Sequence, residues 1–549
     1  MQAATPPISP DKTPPSKERV NVYRLALMAI GALLYLPGLG SYGPLDPTDS
    51  FFIEASREIV ESGNYLLPMI NYEPWLDKPI LYFWAVAACQ NLLGDTAFAG
   101  RIFTALTAIA MGFVIFASAR RFIGAKQAFV AAVVFYSFPL SSALGHESLT
   151  DMPLTLFMSS GLLALFYYHK KGNLLVLMLG YLALALAFLC KGPIAVILVA
   201  AILGLHMAIT SGSLSGFWQS IWQLKPLWGL ALIFAVNAPW YFAANAGTNG
   251  KFFMDFFITQ NFGRMVGTVN HQQPFWFYIP VVLGGLFPWS LILFSSPSFN
   301  KRLFAQRTKL SDSASFVLLQ IVWACFVLLL FSAIKTKLPT YILPAMAPLA
   351  ILTGRAAFIA ARSALKSRLG LKISAIVLFV AVLVFNVLTF KLTGWVGLFL
   401  KQQQLLLGFL LVGSLVYMGA IFAGKIRHAL CILLAIGAIS VAFAMPQAHL
   451  AFYQDRQMPV NALTMQVKEQ GGNLATIIRF EPSFEYYLHH HVPCITSAAE
   501  AQAFLNHTKK PHWIMAPKEV LQNIDWFRQP GKEIAVVAKT NKWTLFKID

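Results

Sequence analysis

The acidic and basic side chains of this chain collect in a few short segments between long apolar runs. The first of these segments places Asp46 and Asp49 around a Pro-Thr turn, and the pattern predicts an amphipathic helix over residues 51–62 after it. Asp49 or the neighbouring Ser50 could cap that helix. A carboxylate held in such a cap could also take a proton from a bound hydroxyl group. Both roles stay open for the two aspartates.

A third carboxylate, Asp151, lies in HESLTDMPLTLF at the start of another apolar run. Thr150 or Asp151 could be the N-cap of a helix. Asp151 could instead face Asp46 and Asp49 as a general base, because displacement of a phosphate by a hydroxyl group needs a carboxylate that removes the hydroxyl proton. A phosphate leaving group needs only a cation near it. The candidate catalytic residues are therefore Asp46, Asp49 and Asp151.

Cations at breaks in the apolar pattern suggest a phosphate site. Lys78 lies in Asp-Lys-Pro, where the chain returns to apolar sequence, and Lys191 lies in Lys-Gly-Pro between two apolar runs. A lysine at a lipid boundary could merely extend its ammonium group towards water, or it could bind a phosphate as a point charge. The candidate phosphate- and lipid-carrier-binding residues are Arg57, Lys78, Lys191, Lys337 and Tyr341.

A metal site has less support in the sequence. Asp77 and His271 could ligate a divalent metal such as zinc, but they are far apart in the chain and no third ligand is evident. None of the five cysteines forms a CxxC pair. The cysteine pattern therefore indicates neither a disulfide framework nor a thiolate zinc site.

The composition requires many membrane-spanning helices to position these residues. The 549 residues are 57% apolar and 12% charged, whereas about a quarter of the residues of a soluble chain are charged. The segment 80–93 is too short to span and is predicted to be interfacial or re-entrant. Thirteen longer runs are predicted to span, near 23–40, 97–119, 126–144, 149–168, 174–190, 192–210, 226–244, 275–296, 314–333, 340–361, 372–391, 404–423 and 428–446.

The net charge of +19 supports an orientation rather than a nucleic-acid site. With the tail 1–22 inside, every cytoplasmic loop longer than one or two residues is basic, which is the positive-inside pattern. The first loop, 41–96, and the C-terminal segment, 447–549, then lie outside. In the C-terminal segment, short strands (LATIIRF, HWIMAP, EIAVVAK, WTLFKI) and helices near 498–506 and 517–526 predict a small α/β domain.

The polar segments resemble those of a known family. LDPTDSFFIEASREIVESGNYLLPMINYEPWLDKPILYFW is similar to the first periplasmic loop of the dolichyl-phosphate-mannose–protein mannosyltransferase-like enzymes, and it looks closest to the bacterial lipid A aminoarabinose transferase branch. The similarity extends over residues 25–360. It continues through LTDMPLTLF, LCKGPIAVIL, NAPWYF, FFITQNFGRMVGTVNHQQPFWFYIPVVLGGLFPWSL and KTKLPTYILPAMAPLAILTG.

This resemblance implies a mainly α, polytopic GT-C fold with an outward active site and a C-terminal periplasmic α/β domain, in the bacterial inner membrane. It implies inverting transfer of a sugar from an undecaprenyl-phosphate carrier to lipid A or a related envelope glycolipid. Lys78 matches the family lysine that holds the carrier phosphate, and Asp151 matches a periplasmic carboxylate. Asp77, where the family usually has Glu, and His271 match positions that bind a metal in some members.

One departure from the family pattern lies in the first loop. The family usually has an adjacent Asp-Glu pair followed by a Tyr, and these positions align here with Thr48, Asp49 and Phe52. Asp49 or Asp46 could replace the missing acid from a neighbouring position; otherwise the enzyme would have a changed substrate or be inactive. Three alternatives stay open beside glycolipid transfer. They are a protein O-mannosyltransferase-like activity, a lipid flippase or transporter that forms no glycosidic bond, and a non-catalytic partner or sensor, which Thr48 favours. A transporter would more often hold its ionisable groups at the membrane midplane, and not on one side.

Overall fold

The computed structural model describes residues 17–263, 272–295, 305–362, 368–389, 391–508, 510–520 and 534–548. Within these ranges the chain is mainly helical, which confirms the predicted fold class. The first helix, Lys17–Tyr35, begins inside the segment predicted to be a tail, because its polar first residues extend the apolar helix by nearly two turns. His271, a predicted metal ligand, lies outside the described residues.

Among the described residues, nine helices are long and apolar enough to cross a membrane, or ten when a pair bent by 62° is counted as one span. These ten correspond to ten of the thirteen predicted spans. The bent pair is Ala125–Tyr136 with Pro139–Gly145, and the nine are Ala97–Ile123, Leu174–Lys191, Ile194–Ser211, Pro226–Gly247, Asp312–Ala333, Pro339–Ala361, Leu369–Leu388, Gln404–Phe422 and Ile426–Gln470.

The other three predicted spans fall on helices that are more polar or interrupted, so the count of thirteen stays a prediction. Lys17–Tyr35 starts with three charged residues in succession, Asp151–Lys171 has charged residues at both ends, and the third region is divided at Phe287-Pro288. The remaining helices are Thr48–Ser62, Leu81–Leu93, Leu214–Gln223, Lys251–Phe253, Tyr278–Gly285, Trp289–Ser295, Gly394–Gln402, Met458–Gln470, Pro482–Leu488 and Ala498–His507, with π-helical turns at Met254–Phe262 and Tyr453–Gln457.

The first loop packs against the ends of neighbouring helices, including the start of Ala97–Ile123. Its amphipathic helix, Thr48–Ser62, is followed by a two-stranded hairpin, β1 (Met69–Ile70) and β2 (Glu73–Pro74). The helix Leu81–Leu93 then has 13 residues and is about 20 Å long, which is too short to cross a hydrocarbon core of about 30 Å. Neither Asp49 nor Ser50 is the N-cap of the amphipathic helix, since Pro47 holds that position.

Two adjacent helices form the hairpin that builds the candidate site. Asp151–Lys171 and Leu174–Lys191 have similar lengths and are joined by two residues, so the start of the first lies beside the end of the second. A close approach at Gly161 brings the helices together, because a Cβ there would lie 2.5 Å from the Leu184 side chain. Thr150 occupies the N-cap position of the first helix without a side-chain capping bond.

The C-terminal segment contains the predicted α/β structure. Its five strands are β3 (Asn473–Ile477), β4 (Cys494–Ile495), β5 (His512–Pro517), β6 (Ile534–Lys539) and β7 (Trp543–Ile548). The sheet has the order β4-β3-β5-β7-β6, with β3 parallel to β4 and β5, and β7 antiparallel to β5 and β6. The helix Ile426–Phe452 runs through Tyr453–Gln457 into Met458–Gln470, so the predicted domain boundary at 447 falls within continuous helix.

One predicted helix of this domain differs from the structure. The sequence predicts a helix near 517–526, but Pro517 ends β5 and residues 518–520 form a turn. Pro517 belongs to the strand and not to a helix because all six residues of β5 are buried and paired with β7. The rest of the predicted helix lies outside the described residues.

Candidate active site

Asp151 and Lys191 meet at the open end of the helical hairpin. The Nζ atom of Lys191 donates to Oδ1 of Asp151 at 2.7 Å, and the two side chains are 17% and 10% exposed. The carboxylate lies in the first turn of its helix, where the positive end of the helix dipole also favours a negative charge. The pair is therefore anchored and partly shielded from water.

This pair lies in the wall of a cavity of about 210 Å³, called here the lysine cavity. Asp77, Lys78 and Tyr341 also line it, so the hairpin, the first loop and a later span contribute to one site. Lys191 Nζ lies 5.9 Å from the centre of the Tyr341 ring. Most of the remaining lining is apolar and includes Leu154, Pro193, Ile194, Ile197, Leu198, Phe256, Phe331, Ile334 and Pro344.

The lining of the lysine cavity suits a phosphate attached to a hydrocarbon chain. Lys78 and Lys191 provide positive charge for a phosphate group, and burial strengthens that attraction. The apolar residues could accommodate a lipid chain. Asp151 is a carboxylate within the same space, where it could remove a proton from an attacking hydroxyl group.

Two residues predicted to bind the phosphate lie elsewhere. The Lys337 ammonium group donates to the backbone carbonyl groups of Gln273, at 2.9 Å, and Ile334, and Lys337 is absent from the lining of the lysine cavity. Arg57 bonds Glu54 and Glu61 on its own helix. The structure thus brings together Lys78, Lys191, Tyr341, Asp151 and Asp77 from the predicted set.

The first-loop aspartates line a second cavity of about 600 Å³, called here the histidine cavity. It is lined by Asp46, Thr48 and Asp49, by Glu147, and by His449 from the last long helix. The structure therefore separates the predicted catalytic carboxylates into two groups. The segment between Glu147 and Asp151 borders both cavities.

Asp49 is buried in an ion pair with Arg101, a residue that is not among the candidates predicted from the sequence. Arg101 donates to both carboxylate oxygens, at 3.2 and 2.5 Å, and the backbone N–H groups of Leu45 and Ser148 donate at 3.0 and 2.7 Å. The Arg101 guanidinium group also donates to the backbone carbonyl groups of Leu39, just before the first loop, and of Tyr42 and Gly43 at its start. An arginine inside an apolar run was the available signal, because such residues rarely lack a function.

Asp46 connects the first loop to the C-terminal segment. Its carboxylate accepts hydrogen bonds from the hydroxyl groups of Ser50 and Ser483, from the Ser483 N–H group at 3.2 Å and from the Gln457 amide at 2.5 Å. Burial raises the pKa of Asp46, although these donors oppose the shift. Asp46 and Asp49 each accept from several donors, and this arrangement is typical of structural anchors.

A third acidic group is the only set of three potential metal ligands found in the part of the chain that the structure describes. Glu54, Glu58 and Glu485 are buried, and one oxygen from each lies within 4.8 Å of the others. Arg57 already binds Glu54, at 2.5 Å. Burial, followed by repulsion from Glu54 and Glu58, raises the pKa of Glu485 to about 10. This site is distinct from Asp77, the one predicted metal ligand that is described.

Replacing Glu485 by Gln should raise stability at alkaline pH. The folded state holds the Glu485 proton up to about pH 10, whereas the unfolded state releases it near its ordinary pKa of about 4.3. The stabilising effect of this proton is complete below the unfolded pKa and is lost as pH rises towards the folded pKa. Between pH 6 and 9, the unfolding temperature should therefore fall more steeply for the wild type than for Glu485→Gln, with a difference of a few degrees.

The matched control for this prediction is Glu469→Gln, at an exposed position in Met458–Gln470. It should follow the wild-type curve throughout. Parallel curves for the wild type and Glu485→Gln would show that Glu485 is ionised in the folded protein.

The apolar helices define the class of protein, a multi-pass membrane protein, and its likeness to the solved structures described next shows the GT-C fold. A crystal structure of ArnT from Cupriavidus metallidurans bound to undecaprenyl phosphate has a TM-score of 0.76 to this chain and covers 97% of it, with 98% of that structure matched at 20% sequence identity. An archaeal oligosaccharyltransferase, AglB from Archaeoglobus fulgidus, has a TM-score of 0.53 at 11% identity, and the match covers 92% of this chain and 70% of AglB.

Sequence relatives confirm the resemblance. A sequence model of the family described as dolichyl-phosphate-mannose-protein mannosyltransferase matches residues 77–242. Undecaprenyl phosphate-alpha-4-amino-4-deoxy-L-arabinose arabinosyl transferases from Shewanella sediminis and Edwardsiella ictaluri are each 31% identical, over 63% and 59% of this chain. The alignments span 61% and 58% of those relatives' own lengths.

Proposed function

We propose that this chain is an undecaprenyl-phosphate-sugar-dependent glycosyltransferase that transfers a sugar, with inversion, to lipid A or a related envelope glycolipid. The observation that carries the proposal is the lysine cavity, where Lys78 and Lys191 lie with Asp151 beside an apolar lining. The similarity of the whole chain to a structure described as bound to undecaprenyl phosphate, and the names of the sequence relatives, support the same donor.

In this mechanism the carrier phosphate binds at Lys78 and Lys191, and Tyr341 completes the polar end of the cavity. Asp151 takes the proton of the acceptor hydroxyl group while the hydroxyl oxygen of the acceptor forms a bond to the anomeric carbon of the donor sugar. The bond between that carbon and the phosphate oxygen breaks, and undecaprenyl phosphate leaves with the electron pair. The two lysines stabilise the charge that develops on the phosphate.

A divalent metal such as zinc at Asp77 and His271 also remains a proposal. Asp77 is a suitable oxygen ligand in the wall of the lysine cavity, and a bound metal would supply further positive charge near the phosphate. The described residues provide only this one of the two ligands, so the reaction steps above rely on the chain's own groups.

We further propose that the protein lies in the bacterial inner membrane, with the N-terminus in the cytoplasm and the C-terminal domain in the periplasm. The basic loops support this orientation. Both cavities are then at the periplasmic ends of the helices, where a carrier-linked sugar and an envelope glycolipid could meet.

Mass spectrometry of lipid A tests the proposed function. Cells with the wild-type protein should contain lipid A with a mass increment of one sugar, and cells without it should not. Lys78→Ala should reduce the modification about 100-fold or more, because a charge that stabilises the leaving phosphate is removed. Lys251→Ala, at an exposed lysine outside the cavity lining, is the matched control and should match the wild type.

The alternative functions give different results in the same cells. Unmodified lipid A with glycosylated periplasmic peptides would assign a protein acceptor, as the description of the matching family suggests. Movement of labelled carrier lipid across vesicles without a new glycosidic bond would assign a flippase. Wild-type levels of modification in Lys78→Ala would exclude Lys78 from the donor site.

A further inference from the structure

Three buried glutamates lie where the first loop meets the C-terminal segment, and the mechanism above uses none of them. Glu54 and Glu58 belong to the amphipathic helix of the first loop. Glu485 belongs to the helix Pro482–Leu488 of the C-terminal segment. One carboxylate oxygen of each lies within 4.8 Å of the other two. All three residues are at most 1% exposed, so their negative charges are concentrated in a place that is closed to bulk solvent.

The tip of the hairpin formed by β1 and β2 holds two of these carboxylates in place. The N–H group of Asn71 donates to Oε2 of Glu485 at 2.8 Å. The next N–H group along the chain, that of Tyr72, donates to Oε2 of Glu58 at 2.9 Å. The Asn71 side chain also exchanges two hydrogen bonds with the backbone of Val492, at 2.8 and 3.0 Å. The hairpin therefore fixes one carboxylate from each of the two segments that meet here.

The other oxygen of each of these two carboxylates has no hydrogen-bond donor in the part of the chain that the structure describes. These atoms are Oε1 of Glu58 and Oε1 of Glu485, and both are buried. An unpaired buried acceptor is destabilising, and the cost is larger for a charged group. Carboxylate oxygens can only accept, so two buried carboxylates this close need a proton or a cation between them. The two unpaired oxygens thus mark a place for positive charge.

The charge balance of the three glutamates requires more than one proton. Among the ion pairs of the described residues, their only basic partner is Arg57, whose Nε atom lies 3.0 and 2.9 Å from the two oxygens of Glu54. Arg57 is also shared with Glu61, at 2.7 Å. Three carboxylates and one guanidinium group leave two negative charges. A proton on Glu485, whose pKa burial raises, removes one of these charges, whereas a divalent cation neutralises both.

The ligand type and the spacing favour calcium over other divalent ions. Ca²⁺ binds carboxylate oxygens at about 2.3–2.6 Å, so ligands on opposite sides of the ion are about 4.6–5.2 Å apart. Oxygens that lie within 4.8 Å of one another can therefore surround it. Mg²⁺ usually keeps several water molecules in a strict octahedron, and a buried site has little room for them. Zn²⁺ is bound mostly by His and Cys, whereas the three ligands here are carboxylates.

We propose that Glu54, Glu58 and Glu485 bind a Ca²⁺ ion that fastens the first loop to the C-terminal segment. Two ligands come from the loop helix and one from the C-terminal segment, beside the hairpin that already connects them. The three glutamates are absent from the lining of the lysine cavity and of the histidine cavity. The ion therefore stabilises the contact between the two segments and takes no part in the transfer step.

Calcium binding to the purified full-length protein in detergent tests the proposal. The protein is first treated with EDTA, which leaves the cation-free state in which Glu485 holds its proton. Equilibrium dialysis against radioactive Ca²⁺ should then find one ion per chain. The unfolding temperature should rise by a few degrees at a Ca²⁺ concentration of about 100 times the Kd, because only the folded state has the site. Mg²⁺ at the same concentration should have a much smaller effect.

Substitutions in the cluster locate the ion. Glu58→Gln and Glu485→Gln should each weaken Ca²⁺ binding about tenfold or more, because each replaces a charged ligand by a neutral amide. Glu73→Gln, at an exposed position in the same hairpin, is the matched control and should bind Ca²⁺ like the wild type. Lys78→Ala should also bind it normally, so this test is independent of the proposed sugar transfer. Absence of Ca²⁺ binding by the wild type, or binding that both Gln variants retain, would overturn the proposal.

Discussion

Asp151→Asn should lower the rate of sugar transfer about 100- to 10,000-fold, which is the usual contribution of a general base. The amide keeps the size of the side chain and can still accept the hydrogen bond that Lys191 donates at 2.7 Å. It cannot take a proton from the acceptor. The KM for the donor should change little, because Lys78 and Lys191 remain in the lysine cavity.

An Asp→Asn substitution in a second ion pair, at the other end of the helix Asp151–Lys171, is the matched control. Lys171 and Asp312 also form an ion pair at 2.7 Å, but both side chains are nearly half exposed. Asp312→Asn should therefore leave the transfer rate unchanged, since exposed ion pairs contribute little. Wild-type transfer by Asp151→Asn would contradict the mechanism and would favour a non-catalytic role for the lysine cavity.

Much of the fold could be predicted from hydropathy and charge. Apolar runs identify helices directly, and alternating basic loops assign their direction. Because Asp151 and Lys191 bound two consecutive runs of similar length, the sequence alone places them at the same end of a hairpin. The structure adds the 2.7 Å contact and the shared cavity, which depend on the rotation of each helix about its axis.

The less predictable parts depend on side-chain direction and on pairing between distant segments. Lys337 carries the positive charge that a phosphate ligand needs, but its ammonium group donates to backbone carbonyl groups. Arg57 bonds Glu54 and Glu61, and this could have been anticipated because residues three and four apart share a helix face. The order of the C-terminal strands, with β7 between β5 and β6, depends on contacts between segments that are distant in the sequence, and local sequence patterns do not predict such contacts.

The Asp49–Arg101 pair is an example of a contact between distant residues that the sequence does not predict. The position of Asp49 after a Pro-Thr turn makes it a catalytic candidate. Its partner lies 52 residues further along the chain, and only the folded structure places the two side chains together. Their contacts also reach the carbonyl groups of Leu39, Tyr42 and Gly43, so the pair fixes the start of the first loop against the helix Ala97–Ile123.

Arg101→Met should therefore destabilise the protein by about 3–5 kcal/mol, because it leaves the buried Asp49 carboxylate without its counter-ion. Thermal unfolding in detergent would measure the loss. The double variant Arg101→Met/Asp49→Asn should recover part of it, since the unpaired charge is then gone, although the three loop carbonyls still lack their donor. Equal stability of Arg101→Met and the wild type would contradict the anchoring role.

Asp49→Asn distinguishes an anchor from a catalytic group at the same position. If Asp49 is an anchor, the variant should unfold at a lower temperature, and the transfer rate per folded molecule should stay within about tenfold of the wild type. If Asp49 is the base, the rate should fall as far as in Asp151→Asn, by 100-fold or more. The four donors around Asp49 favour the first result, because a carboxylate fully engaged with the protein has little capacity left to take a proton from the acceptor.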